Sequence, residues 1–348
     1  MGKDDPHRVD EVCPFSDPPY TGFTDDHVFP QFLGGRRSIR VCADCNSRFG
    51  HSFEAGAAKQ LRRLQVFISH FGLDLSRSPA TWPSALVIGD ATYSLKSGPQ
   101  GVQYELAQPI IRRDEWGNIV GGSARSHGEA KRIGASLVRK GKAKKVEVEE
   151  SPPTTFEDVK LTVGLGYDDD IFRFSAKLTS NAVVAMGRGP LVKASSIGRY
   201  LRGSGEWGTC IAFCDTSAIR LLRPPLSHTI YVEFGVQSYA IVVVFGYFQV
   251  YVPLPGSESG AAIGFLDPLT GEESFGDAAP IGIAPPAKFV SRQQIALHLQ
   301  YINRQLTDEA NARGALHPPN LQMSEFDPGL PSLSPSWTDG THRFYRKP

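Results

Sequence analysis

The sequence predicts an α+β protein. Three patterns carry that reading: helical spacing of apolar residues between Ser47 and Phe71, short β-prone runs from Ala85 onward, and a second half that mixes helical stretches with apolar strands. With 348 residues, 41% of them apolar, the chain can bury a core of ordinary globular size. At roughly 100–200 residues per domain it should hold two domains or three.

The first unit runs from about Val12 to Phe71. A turn-rich stretch gives way to a helix expected over Ser47–Phe71, where Phe49, Phe53, Ala57, Leu61, Leu64 and Ile68 recur at steps of three and four. Gly72, with Pro79 and Pro83 beyond, should end it. From Ala85, the runs Leu86–Ile88, Thr92–Leu95 and Val102–Leu106 are separated by Gly89-Asp90 and Ser97-Gly98-Pro99, which reads as an antiparallel meander. Ser126 followed by Glu129 predicts a capped helix running to about Lys140 and stopped by Gly141, with His127 read as a loop residue before it. Val146–Val148 suggests a further strand. Pro152-Pro153, in a locally acidic stretch, places a boundary near 150, and Asp168–Asp170 read as a solvated loop.

Beyond that boundary a helix is expected over Ala176–Met186 and a helix end at Tyr200–Gly203. Strands are expected over Ile230–Phe234, which His228 would open, and over Tyr239–Val252, broken at Phe245-Gly246; a final helix follows over Ser291–Leu306. Four regions result: 1–75; a strand-rich segment with a basic helix, 76–150; an α+β accessory domain, 151–316; and an irregular Pro/Ser-rich tail, 317–348.

Charge excludes a global electrostatic argument, because 37 Lys and Arg balance 36 Asp and Glu. The most apolar stretch, Tyr239–Leu254, is interrupted by Gly246 and Gln249 and is too short to span a bilayer as a helix, so no membrane association is expected. Met1–Asp10 has no apolar run of the secretory kind, so a cytoplasmic protein is expected. Five cysteines are too few for a disulfide framework, and Cys13, Cys42 and Cys45 cluster near the start. Cys42 and Cys45 have the spacing of half a tetrahedral thiolate zinc site, and Cys13 offers a third ligand. Cys210 and Cys214 read as buried small hydrophobes.

The chemistry concentrates in one ordered series: Cys13-Pro-Phe-Ser16, Asp25-Asp26-His27-Val28-Phe29-Pro30, Leu33-Gly34-Gly35, Cys42-Ala-Asp-Cys45-Asn46 and Gly50-His51. This series resembles the HNH nucleases, the ββα-metal or His-Me finger fold with zinc-ribbon cysteines. The resemblance implies an endonuclease hydrolysing phosphodiester bonds, DNA most readily. It implies that His27 is the general base and that Asp26 and Asn46 hold a catalytic Mg²⁺ or Mn²⁺. It further implies that Cys13, Cys42 and Cys45 hold a structural Zn²⁺. An imidazole with a pKa near ~6.5 suits water activation, and hard oxygens suit the ion.

Ser16 stands where the family has its fourth cysteine, which leaves that ligand to Asp17, His7 or water, or leaves the zinc absent. Arg37 or Ser38 stands near the place of the family's central asparagine. His51, five residues past Asn46, is a weaker candidate for a metal or phosphate contact, and His51 and Glu54 are weighed chiefly as a solvated helix face.

Two basic stretches bear on the partner. Between Arg36 and Arg63, the positive residues Arg36, Arg37, Arg40, Arg48, Lys59, Arg62 and Arg63 face only Asp44 and Glu54; between Arg125 and Lys145 eight positive residues face Glu129 alone. Arg36, Arg37, Arg40 and Arg48, beside the expected metal, are candidates for phosphate contact. Two alternatives stand beside the nuclease: a zinc-dependent nucleic-acid-binding protein without catalysis, and a nuclease gated by a ligand at the C-terminal half. A homo-oligomer is also open.

Overall fold

The computed structural model describes residues 12–70, 72–75, 79–98, 101–149, 162–165, 167–204, 210–212, 226–256, 259–286, 292–312 and 340–343. The architecture is α+β, as the sequence predicts. It begins with a hairpin of β1 (Phe23–His27) and β2 (Ser38–Cys42), paired so that His27 lies opposite Ser38 and Phe23 opposite Cys42. Cys42 caps the next helix, its Sγ accepting the N–H of Cys45 at 3.4 Å. The helix therefore starts earlier than Ser47 and runs as α1 (Ala43–Phe49), a π segment (Gly50–Glu54) and α2 (Ala55–His70).

The π segment follows from the apolar spacing. Phe49, Phe53, Ala57 and Leu61 are all buried and all four residues apart. At about 100° per residue each such step overshoots a turn by about 40°, and a wide turn takes up the accumulated drift.

The expected meander is present as β3 (Thr81–Ile88), β4 (Ala91–Gly98) and β5 (Gly101–Leu106), packed on α2 through Val66, Ala80 and Leu95. A small hairpin, β6 (Ile110–Arg113) with β7 (Ile119–Ser123), precedes α3 (His127–Arg139). The Ser126 side chain caps α3 and Gly141 follows it at φ +66°, so His127 opens the helix rather than lying in a loop. Val146–Val148 is not a strand: among the described residues no strand pairs with it.

In the second half, β8 (Thr162–Leu165) leads to α4 (Asp169–Ala185), which is seven residues longer at its start than expected. Asp168, read as loop, is its N-cap, accepting the N–H of Ile171 at 3.0 Å, and Asp169 and Asp170 fill the first turn. Two short helices follow, α5 (Gly189–Ala194) and α6 (Ser196–Leu201), the latter ending as expected before Gly203. A six-stranded antiparallel sheet then forms from β9 (Ile211–Ala212), β10 (His228–Phe234), β11 (Ser238–Val244), β12 (Phe248–Leu254), β13 (Gly260–Leu266) and β14 (Glu273–Asp277). Its order is β14-β13-β10-β11-β12-β9. The break at Phe245-Gly246 is a tight turn with φ of 52° and 70°. The final helix is α7 (Arg292–Ala312), and β15 (Gly340–Arg343) pairs with β8. His7, the Pro152-Pro153 boundary, Cys214 and most of 317–348 lie outside the described residues.

Strands β10 and β11 are buried along their whole length because both sheet faces are covered. On one face Ile230, Val232, Val242 and Val250 pack beneath α4 and α7; on the other, Tyr231, Tyr239 and Tyr251 are covered by Ala278, Ile281 and Ile283. The first face shares one core with the N-terminal hairpin and helix: Phe15, Phe29, Phe49 and Leu61 belong to the same cluster as Phe174, Leu178 and Ile230. Helix α4 lies between the two parts. Its approach needs Gly56, where an added Cβ would fall 1.7 Å from Asp170 Oδ2.

Candidate active site

Cys13, Cys42 and Cys45 converge, each buried, with their Sγ atoms within 4.8 Å of one another. Ser16 lies at the same corner, its Oγ 3.4 Å from Cys42 Sγ. The backbone N–H groups of Phe15 and Cys42 donate to Cys13 Sγ at 3.5 and 3.4 Å, and Arg48 reaches Cys45 Sγ at 3.5 Å. The Cys45 thiol, with these amides and Ser16, holds the Cys13 thiol well below its usual pKa despite burial, while Cys45 as the donor is pushed up. Asp17 is not at this corner, since its carboxylate meets Lys193 Nζ at 2.5 Å.

Strand β1 sends its side chains alternately to two sides. Asp26 is buried and faces α4, whereas His27 is half-buried and faces away, with the Gln31 Nε2 amide donating to its Nε2 at 3.2 Å. After the strand the chain turns through Gln31–Leu33, with Gly34 at φ +98°; at Gly35 an added Cβ would lie 1.8 Å from the Phe29 carbonyl oxygen. Asn46, in α1, donates from Nδ2 to Thr24 Oγ1 at 3.0 Å and to the Asp25 carbonyl at 3.2 Å. The helix is thus tied to the strand beside Asp26, and Asn46 Oδ1 accepts no hydrogen bond among the described residues.

Helix α4 completes the arrangement. Lys177, 2% exposed, donates from Nζ to Asp26 Oδ1 at 2.9 Å and also bonds Glu54 Oε1. Asn181 Nδ2 donates to the His27 carbonyl at 2.8 Å and lies 3.4 Å from Asp26 Oδ2. Burial raises the pKa of Glu54, against the lowering effect of Lys177.

Residues 13–62 match the HNH endonuclease family. The match spans the thiol cluster, the hairpin and the helix as far as the first turns of α2, and identifies an N-terminal HNH domain of the nuclease kind. Comparison with curated proteins and with solved structures gives no match. Among the described residues no helix is long and apolar enough to cross a membrane.

A zinc ion fits the HNH thiol cluster. Tetrahedral Zn–S bonds of about 2.3 Å place sulfurs roughly 3.8 Å apart, which the three Sγ atoms, all within 4.8 Å of one another, can accommodate, and backbone amides already donate to Cys13 Sγ. Ser16 Oγ lies beside this cluster, whereas Asp17 is engaged by Lys193. A hard divalent ion does not fit at Asp26 in this arrangement, because Lys177 and Asn181 engage its two oxygens and the ammonium also bonds Glu54.

The remaining candidates of the HNH segment separate. His51 is exposed in the π segment and makes no hydrogen bond to Asn46 or His27. Arg40 pairs with Asp25 at 3.3 Å and Arg48 lies over Phe49, while Arg37 stacks on Phe275 of β14 with its guanidinium carbon 5.0 Å from the ring centre. Arg36 and Arg37 both donate their backbone N–H to Glu273 Oε2, at 2.7 and 3.0 Å.

Sequence reasoning passed over Lys177, Asn181 and Glu273, and it weighed Glu54 as solvated, although Glu54 is partly buried against Lys177. The available signal was a lone lysine among Phe172, Phe174, Ala176, Leu178, Ala182 and Val183, all buried in α4. A charge in such company needs a partner.

Proposed function

We propose that this chain is an endonuclease that hydrolyses phosphodiester bonds in DNA, with His27 as general base. The observation that carries this reading lies inside the HNH match: the ββα arrangement puts a solvent-reaching imidazole at the end of β1, while Asn46 ties the helix to the same strand. His27 takes a proton from water at Nε2 once that water displaces the Gln31 amide, which donates to this nitrogen at 3.2 Å. Gln31 orients the ring, and Asn181 holds the His27 backbone through its carbonyl.

The structural zinc assigned to Cys13, Cys42 and Cys45 would clamp the start of the helix to the hairpin, fixing the distance from His27 to Asn46. Only with Lys177 withdrawn would Asp26, together with Asn46, be the residues to hold Mg²⁺ or Mn²⁺, whose charge would stabilise the phosphate.

The test is nicking of supercoiled plasmid in Mn²⁺ by the zinc-loaded chain, by His27→Ala and by Glu273→Gln. Nicking by the wild type or by Glu273→Gln that disappears when His27→Ala is added, with zinc content and circular dichroism unchanged, is the expected result. Equal nicking with and without His27 removes the imidazole from the mechanism. A matched RNA duplex cleaved faster than DNA would reverse the substrate assignment.

A further inference from the structure

Two contacts from the second half of the chain meet the HNH domain at its functional face, and they carry opposite charges. The first is the Lys177 ammonium, which lies against Asp26 and Glu54. The second is the Glu273 carboxylate at the start of edge strand β14. One of its oxygens accepts the successive backbone N–H groups of Arg36 and Arg37 at 2.7 and 3.0 Å. Consecutive amides converging on one anionic oxygen form the kind of concavity that binds phosphate. This concavity adjoins the proposed base: the Val28 N–H donates to the Arg37 carbonyl at 2.8 Å, and His27 is paired with Ser38.

We propose that this arrangement is a closed state of the HNH domain, in which Lys177 fills the position of a divalent cation and Glu273 fills the position of a backbone phosphate. The inference rests on the nuclease reading for the purpose of the two positions. The contacts stand without it.

Neither contact is well explained as adhesive alone. A buried ammonium held by two carboxylates gains little over apolar packing of the same volume, because desolvation opposes the attraction. Glu273 is also incompletely matched, since its buried Oε1 has no hydrogen-bond partner among the described residues. A phosphate at the two amides would carry the same negative charge as Glu273, with more oxygens to accept hydrogen bonds. Metal and nucleic acid would each compete with one internal charge, so binding of either favours the open state by mass action. The device needs the whole chain, because Lys177 and Glu273 lie far beyond the matched segment.

The test uses the full-length zinc-loaded protein. Mn²⁺ binding is followed by electron paramagnetic resonance for the wild type, Lys177→Met and Lys177→Met with Asp26→Asn. Affinity for a short labelled DNA duplex in EDTA is followed by fluorescence anisotropy for the wild type and Glu273→Gln. Lys177→Met should bind Mn²⁺ at least about tenfold more tightly than the wild type, a gain lost when Asp26→Asn is added. Glu273→Gln should bind DNA about fivefold more tightly.

Mn²⁺ binding by the wild type as tight as by Lys177→Met overturns the proposal, as does a Glu273→Gln affinity equal to or below the wild type. Should Lys177→Met fail to fold, the Glu273 measurement decides. The outcomes also separate this proposal from the nuclease reading. Gains in binding without nicking by any variant keep the closed state and sink the nuclease; His27-dependent nicking without those gains does the reverse.

Discussion

Replacing Lys177 with methionine removes an ammonium and keeps nearly all of the side-chain volume, so the effect on stability isolates charge from packing. The two carboxylates it would strand are poorly hydrated, with side chains 8% exposed for Asp26 and 16% for Glu54. Removing one member of a buried ionic cluster leaves uncompensated charge and costs about 3–5 kcal/mol. That is a large part of the roughly 5–15 kcal/mol that holds a protein folded, and for a chain of 348 residues it corresponds to a fall in Tm of about 4–7 °C.

The loss should depend on pH with a definite sign. Burial already raises the pKa of Glu54 above its ordinary 4.5, and removing the lowering effect of Lys177 raises it further. A carboxyl raised in the folded state binds its proton there more tightly than in the unfolded chain. Its penalty is therefore full above the folded pKa, shrinks as pH falls toward 4.5, and is absent below. Urea unfolding at pH 7 and pH 5 measures both effects. A loss below about 1 kcal/mol at pH 7, or one that grows on acidification, would refute the claim that Lys177 neutralises buried carboxylates.

Three further outcomes follow from the same structure. Gly35→Ala must place a Cβ against the Phe29 carbonyl, 1.8 Å away, where only backbone can yield; thermal unfolding should show a loss of about 3 kcal/mol or more, and a loss within about 0.5 would contradict the close approach. Ser16→Cys should complete the thiolate set and raise zinc affinity at least about tenfold in a chromophoric chelator competition, while Cys42→Ser should release the metal and lower Tm. His228 is fully buried with its pKa lowered to about 3 by burial, so the unfolded chain gains a proton near 6.5 that the folded one refuses. Stability should fall by about 1.4 kcal/mol per pH unit from this group as pH drops from 6.5 toward 3, and His228→Phe should flatten that slope by one proton.

Much of the architecture was legible because local chemistry and tertiary packing agree. The Ser126 cap, the Gly141 stop, the β3–β5 meander and the Phe245-Gly246 turn follow from residues whose backbone preferences match their surroundings. Helix starts were less legible. Cys42 is not an ordinary N-cap, and its sulfur serves here because the thiol cluster fixes it; Asp168 looked like part of an acidic loop because the apolar run begins only at Ile171.

The cysteines, Asp26, His27 and Asn46 could be picked out because their order in the chain resembles the HNH series, and residues 13–62 match that family. Their local geometry then follows from one hairpin and one helix. Lys177, Asn181 and Glu273 could not be placed by spacing. They reach the site across more than a hundred residues of chain, through the core that α4 shares with both the hairpin and the sheet. Sequence periodicity marks α4 as buried but does not say against what.

The most direct test of the central claim, that the HNH domain cuts phosphodiesters through His27, is the rate of plasmid nicking in Mn²⁺ by Lys177→Met and by Lys177→Met with His27→Ala. Both proteins would first be shown to be folded and zinc-loaded. The account predicts that Lys177→Met nicks faster than the wild type and that adding His27→Ala abolishes the activity. Equal rates for the single and double variants would contradict it.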